Sequence, residues 1–181
     1  VQLSNTPILG VFVGTGITML VQASSATISI LQNLHQDGLI TLKATLPVLF
    51  GDNIGTTITA VIAVIGANSD AKRIALSHVL FNVIGTIIFL IFLTPFTMFI
   101  EKMQEILHLT PKLTIAFAHG SFNTINTILL FPFIGVLAYI VTKIIKDDNE
   151  KQGYIIKYLD KVLLKTPAIA LGQVKQEIIH M

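Results

Sequence analysis

Two polar clusters sit inside apolar sequence and carry the residue types that could hold a small ion. The first, Gln22-Ala23-Ser24-Ser25, follows the apolar run 8–21 and leads into ATISILQNL. It offers an amide and two adjacent hydroxyls. The second lies in GDNIGTT, where Asn53, Thr56 and Thr57 supply neutral oxygens between and beside Gly51 and Gly55. Buried without partners, each such group costs on the order of 1–3 kcal/mol. Two uses offset that cost: capping the backbone of an interrupted segment, or coordinating a desolvated solute. If Ser24 and Ser25 open a helix, their amides point outward, and an oxyanion suits that position. The Gln22 amide either donates to the same anion or turns its carbonyl to a cation. In the second cluster, backbone carbonyls and hydroxyls suit Na⁺. Transporters with interrupted helices divide the work this way, with helix N-termini for anions and unwound carbonyls for Na⁺.

Three further residues are secondary candidates. Asp52 is the only acid between Asp37 and Asp70. An ionisable group at membrane depth is a functional candidate; the alternative is a helix cap at a water-filled break. Asn82 and Asn123 belong to a pattern that occurs twice, His78-x-x-Phe81-Asn82 and His119-x-x-Phe122-Asn123. A His and an Asn four apart share a helix face. These faces point into a bundle and serve helix–helix hydrogen bonding, ion contact or a His proton relay. Nothing resembles a hydrolytic site. The serines have no indicated base, and no Gly-rich loop with a Lys exists to hold ATP. The reading is of a protein that is not an enzyme and needs no cofactor.

The elements that must position these clusters read as membrane segments. The chain has 181 residues, 52% hydrophobic and 12% charged, against about 25% charged in a soluble domain. Its mean hydropathy is +0.77. A surface so depleted in charge is explained by lipid. The net charge of +2 gives no sign of nucleic-acid binding. With no cysteine, disulfides and thiolate metal sites are excluded.

Fourteen helical residues over 8–21 rise only about 21 Å, short of a hydrocarbon core of about 30 Å. Two short pieces around the polar break, over about 8–34, predict a re-entrant hairpin. Pro47, Gly51 and Gly55 predict that the next segment, about 39–66, is a helix broken near 51–53. Spans are expected at about 74–94 and 113–142, the latter with a kink at Pro132. Residues 1–142 form the transmembrane part. Residues 143–181, with seven Lys/Arg and five Asp/Glu, are a polar tail with a break at Pro167. Lys72, Arg73, Lys143 and Lys146 flank span ends on one side. The positive-inside rule makes that side, and the tail, cytoplasmic. The start VQLSNTPILG has no initiator Met and no basic n-region, and reads as mid-chain sequence.

On these residues the chain resembles the sodium/phosphate cotransporter family, the type II group with bacterial members. QASSATISILQNL is similar to its Gln-Ser-Ser-Ser signature, and GDNIGTTITAVIAVIGA to its Asn-Ile-Gly-Thr-Thr signature. AKRIALSHVLFNVIGTIIF and IAFAHGSFNTINTILLFPF look like the continuation. LGQVKQEIIHM looks like the start of a PhoU-like helical domain. The resemblance implies an all-α polytopic membrane protein of the cytoplasmic membrane, built as an inverted repeat. This chain would be its second half, with the N-terminal half missing. It implies Na⁺-coupled symport of inorganic phosphate, with Gln22, Ser24 and Ser25 holding phosphate or Na⁺, and Asn53, Thr56 and Thr57 completing the site. A Na⁺ set of Gln22, Ser25, Asn53 and Thr56 is expected. Ala23 departs from the signature, standing where its first serine belongs. Another oxyanion, such as sulfate or arsenate, is an alternative cargo. A membrane-bound phosphate sensor acting through the tail is an alternative role.

Overall fold

The computed structural model describes residues 6–146 and 167–180. It divides into two units, Val1–Lys146 and Asp147–Met181. Among the described residues every regular element is helical. Within the first unit the helices are α1 (Pro7–Val21), α2 (Ser24–Gln36), α3 (Leu42–Ala63), α4 (Ser69–Ile91), α5 (Leu93–Ile106), α6 (Pro111–Leu130), a 3₁₀ turn (Phe131–Phe133) and α7 (Ile134–Ile144). The second unit contributes α8 (Pro167–His180), which opens on the expected Pro. The rest of the proposed PhoU-like tail lies outside the described residues.

Among the described residues, three stretches are long and apolar enough to cross a membrane: Leu42–Ala63, Ser69–Ile91 and Pro111–Ile144. The chain is an all-α membrane protein. Side chains such as Phe12, Leu20, Ile74, Ile91 and Phe131 are largely exposed, as lipid-facing residues must be in the absence of water-driven burial.

The chain breaks between α1 and α2 at Gln22, which adopts a left-handed backbone (φ 54°), followed by extended Ala23. At 15 and 13 residues, the two helices rise about 22 and 20 Å. They fold back on each other, because the hydroxyls of Thr18 and Thr27 meet at 2.9 Å across the break. In one continuous helix, nine residues would separate them by about 13 Å.

The helix expected to break near 51–53 does not break. α3 runs unbroken over 22 residues, with Pro47 inside it. Its start is fixed by Thr41, whose hydroxyl accepts from the Ala44 amide. The glycines serve closeness to a neighbour instead of a break. A Cβ on Gly14 would overlap the Val48 carbonyl, and one on Gly51 would overlap the Val11 carbonyl. Gly10 lies against Pro47, and Gly55 against Thr15 and Thr18. The pairs rise together along both chains, so α1 and α3 run parallel. Two small-xxx-small pairs, Gly10/Gly14 and Gly51/Gly55, thus face each other, a packing mode that lets helices associate by backbone contact in lipid. Thr15 adds a hydrogen bond to the Gly51 carbonyl at 3.0 Å.

The other boundaries follow local signals. Asn68 caps α4 by accepting from the Ala71 amide, so the helix starts earlier than the expected 74. It ends at Phe92, and α5 follows with Pro95 in its first turn, where the missing amide costs nothing. Leu93, Phe96, Thr97 and Ile100 bury one face of α5. The long last span is interrupted at Phe131–Phe133, where Pro132 sits. The core is aromatic: Phe50 stacks on Phe122 at 4.9 Å, and Phe89 meets Phe96 and Phe122 edge-on at 4.8 and 4.7 Å. Arg73 donates to the Ile145 carbonyl at 3.1 Å, so the basic start of α4 and the basic end of α7 lie at one end of the bundle.

Gly51→Ala is expected to destabilise the protein by about 1–3 kcal/mol, the usual cost of overpacking. Gly120, with open space around its Cα, is expected to accept Ala with no loss. Thermal unfolding of the two variants in detergent checks the contrast.

Candidate functional site

The break after α1 leaves the start of α2 without a side-chain cap, since Ala23 at the N-cap position has no oxygen to offer. The first backbone amides of α2 with an acceptor are those of Ala26 and Thr27, both to the Ala23 carbonyl. The amides of Ser24 and Ser25 are left pointing out of the helix start, beside their own hydroxyls. Gln22 and Ser25 are exposed, and Ser24 is half-buried. Their side chains make no hydrogen bond among the described residues. They form the tip of the hairpin.

The second cluster lies in the middle of α3. Asn53 donates to the Leu49 carbonyl at 3.0 Å. Thr56 and Thr57 donate to the carbonyls of Asn53 and Ile54, each at 2.7 Å. In each threonine the single hydroxyl proton is committed to its own helix. The oxygen lone pairs stay available to a hard cation. Among the described residues no group of three or more His, Cys, Asp or Glu is arranged to hold a metal ion.

The tip and this stretch sit at a common height. Thr15 bonds Gly51, a register of 36 residues, which sets Gln22 level with Ile58. From there α2 turns back, and by Thr27 it has reached the level of Thr18 and Asp52. The first turn of α2 and residues 52–58 of α3 therefore run past one another. No hydrogen bond joins Gln22, Ser24 or Ser25 to Asn53, Thr56 or Thr57.

Asp52 is not at a mouth, as a mere cap would be. It is fully buried at mid-helix. Thr18 donates to its Oδ1 at 2.6 Å, while its Oδ2 has no partner. His119 of α6 lies near Asp52.

The repeated His/Asn pattern is used locally. Asn82 donates to the His78 carbonyl and Asn123 to the His119 carbonyl, both at 3.0 Å. These bonds lie within one helix and do not tie helices together, because an Asn side chain reaches the carbonyl four residues back. The copies differ in place: Asn82 is buried and Asn123 half-buried, while Phe122 is buried in the aromatic core and Phe81 is not. The polar link between these helices comes from Asn126, which donates to the Phe81 carbonyl at 3.5 Å. Asn126 fills the space a side chain on Gly85 would need.

Sequence reading missed Thr15, Thr18, Thr27 and Asn126. The signal for the first three was present. Thr18 and Thr27 stand symmetrically about Gln22-Ala23, and Gly10/Gly14 repeats the spacing of Gly51/Gly55. For Asn126 the signal was its place in the repeat, since it stands seven residues after His119 as Gly85 stands seven after His78.

Residues 1–118 match the family model described as Na+/Pi-cotransporter. The chain is 37% identical over 120 residues to the uncharacterized protein YqeW of Bacillus subtilis, covering 66% of this chain and 38% of that protein. It is 26% identical over 181 residues to YjbB of Salmonella typhimurium, a protein named as a candidate for inorganic phosphate export, covering 99% of this chain and 33% of that protein. It is 42% identical over 104 residues to human sodium-dependent phosphate transport protein 2B, covering 55% of this chain and 15% of that protein. The chain thus spans less than two fifths of the length of each of these curated relatives. No solved structure matches.

Exchange of volume between positions 85 and 126 gives a test of the packing around the second His/Asn copy. Gly85→Ala alone is expected to destabilise, and Asn126→Ser is expected to recover part of that loss in the double variant. A double-mutant cycle by thermal unfolding should show a coupling of about 0.5–3 kcal/mol; additive changes would contradict the contact.

Proposed function

The chain belongs to the Na+/Pi-cotransporter family, and from that premise we propose that it supplies one side of the central site of a Na⁺-coupled phosphate symporter. The observation that carries the reading is the uncapped start of α2 beside the middle of α3. Two outward amides, the Ser24 and Ser25 hydroxyls and the Gln22 side chain offer donors to a tetrahedral anion at a helix N-terminus. Asn53, Thr56 and Thr57 offer oxygens with committed protons to Na⁺. Gln22 and Ser25 complete the Na⁺ set through their own oxygens.

Coupling follows from electrostatics. Bringing phosphate out of water is costly, and a Na⁺ bound a few ångströms away lowers that cost. The Na⁺ gradient then supplies the free energy, and no bond is made or broken. The other side of the site comes from a part of the parent protein outside this chain, related to this part by an inverted repeat. The protein lies in the cytoplasmic membrane. The end carrying Lys72, Arg73, Lys143 and Lys146 faces the cytoplasm, by the positive-inside rule.

A second reading concerns direction. The Salmonella relative, aligned over 99% of this chain, is named for phosphate export. The same site serves either direction, since the ion gradients and the conformational cycle set net flow.

Radiolabelled phosphate uptake into proteoliposomes holding the full-length parent, with and without an inward Na⁺ gradient, tests the proposal. Na⁺-dependent uptake is expected, and Ser25→Ala or Asn53→Ala is expected to cut it about tenfold or more without loss of folded protein, as for one lost charge-assisted hydrogen bond or ion contact. Competition by sulfate and arsenate reads the anion choice. Efflux that requires Na⁺ in the absence of uptake would favour export. Absence of any Na⁺-dependent flux in folded, reconstituted protein would contradict the symporter.

A further inference from the structure

The hairpin is fastened to α3 by a buried polar chain that includes none of the proposed phosphate and Na⁺ ligands. Thr18 and Thr27 are as buried as Asp52, at 0% and 2% exposure. The Thr18 hydroxyl has one proton, and it goes to Asp52 Oδ1 at 2.6 Å. The Thr27 hydroxyl, 2.9 Å from that of Thr18, must then be the donor between them. The order Thr27 to Thr18 to Asp52 is fixed by proton count whenever Asp52 is ionised. Thr18 lies four residues before Gln22 and Thr27 four after Ala23. One carboxylate at the midpoint of α3 therefore holds both arms of the hairpin at equal distance from its tip.

The two arms differ in what else holds them. Beside the carboxylate, α1 has the glycine crossing with α3 and the Thr15 bond to Gly51. Near its N-terminus, the only side-chain hydrogen bond among the described residues that ties α2 to the rest of the bundle is the one through Thr27. Its other side-chain bonds are local or at the far end, where Gln32 donates to the Lys112 carbonyl at 3.3 Å and His35 pairs with the Ile40 carbonyl at 3.0 Å. The height of Ser24 and Ser25 against Asn53, Thr56 and Thr57 thus depends on this chain together with the packing of Ile28 and Leu31 in the core.

We propose that Asp52 is a positioning residue for transport, which acts through Thr18 and Thr27 to hold the start of α2 at the height where it meets the mid-α3 oxygens. This rests on the symporter reading for its transport consequence, but not for the clasp itself. Leaving a buried polar group without its partner is costly, so loss of this bond lets α2 move without unfolding α1.

The test joins a distance to a kinetic constant in the full-length parent. This chain has no cysteine, so spin labels are placed on introduced cysteine pairs, with any cysteine elsewhere in the parent replaced. Ile30, Leu20 and Ile62 are exposed label positions on α2, α1 and α3. Thr27→Val is expected to broaden the Ile30–Ile62 distance distribution and leave Leu20–Ile62 narrow. In proteoliposomes the same variant is expected to raise the KM for phosphate roughly tenfold, with the maximal rate per folded protein little changed. Asp52→Ala should do the same, and Asp52→Asn, which keeps an acceptor oxygen for Thr18, should recover much of both effects. An unchanged Ile30–Ile62 distribution in Thr27→Val and Asp52→Ala overturns the clasp. Broadening with no change in KM overturns the positioning role, as does a loss confined to the yield of folded protein. If the wild-type parent carries no phosphate, the symporter reading has failed, and the distance measurement alone still decides whether the clasp exists.

Discussion

Everything that positions the polar tip depends on the close parallel crossing of α1 and α3. Lipid gives no hydrophobic reward for helix association, so contact must come from tight packing and polar bonds. Gly14 against Val48 and Gly51 against Val11 bring the two backbones together. At that separation Thr15 can reach the Gly51 carbonyl and Thr18 can reach Asp52. A single methyl at either glycine would push the hairpin away from α3 and out of reach of every bond beyond it. The register set there also decides which part of α3 the tip passes.

Polar groups inside this bundle are handled in two ways. Most hydroxyls and amides turn back to a carbonyl on their own helix, as Asn53, Thr56, Thr57, Asn82, Thr97 and Asn123 do. Such bonds satisfy the donor and leave the oxygen free. A few cross between helices: Thr15, Thr18, Thr86 to the Phe50 carbonyl at 3.2 Å, and Asn126. Each of these four bonds stands beside a glycine or the aromatic core. Local bonds thus leave oxygen lone pairs unused, and crossing bonds fix geometry.

The hairpin was legible because polarity and length agree: two runs too short to span, with amide and hydroxyls between them. The end-to-end arrangement was legible in the four basic residues, and Arg73 does meet the end of α7. The state of α3 was not legible from Gly51 and Gly55 alone. Glycine permits a break and a close approach equally, and only the matching pair at Gly10 and Gly14 tells them apart. The His/Asn pattern was visible, but whether an Asn bonds across or back along its own helix depends on the neighbour's distance, which spacing does not contain. Asn126 and Gly85 hold the same place in the two copies of the pattern, but that the Asn fills the space left by the Gly is a matter of packing, which spacing does not contain. The site's two clusters could be named from residue type. Their common height required the register of α1 on α3.

The central claim is that the hairpin tip and the middle of α3 face one ligand. It is tested most directly by thiol protection in the full-length parent, with single cysteines at Ala23 on the tip and at Ala60 on α3, small residues outside the proposed ligand set. The rate of modification by a small charged methanethiosulfonate reagent is measured with phosphate, with Na⁺, and with both. Phosphate and Na⁺ together should slow modification at both positions, and a non-binding anion should not. Modification at unchanged rates at both positions, in protein that still transports phosphate, would contradict the account.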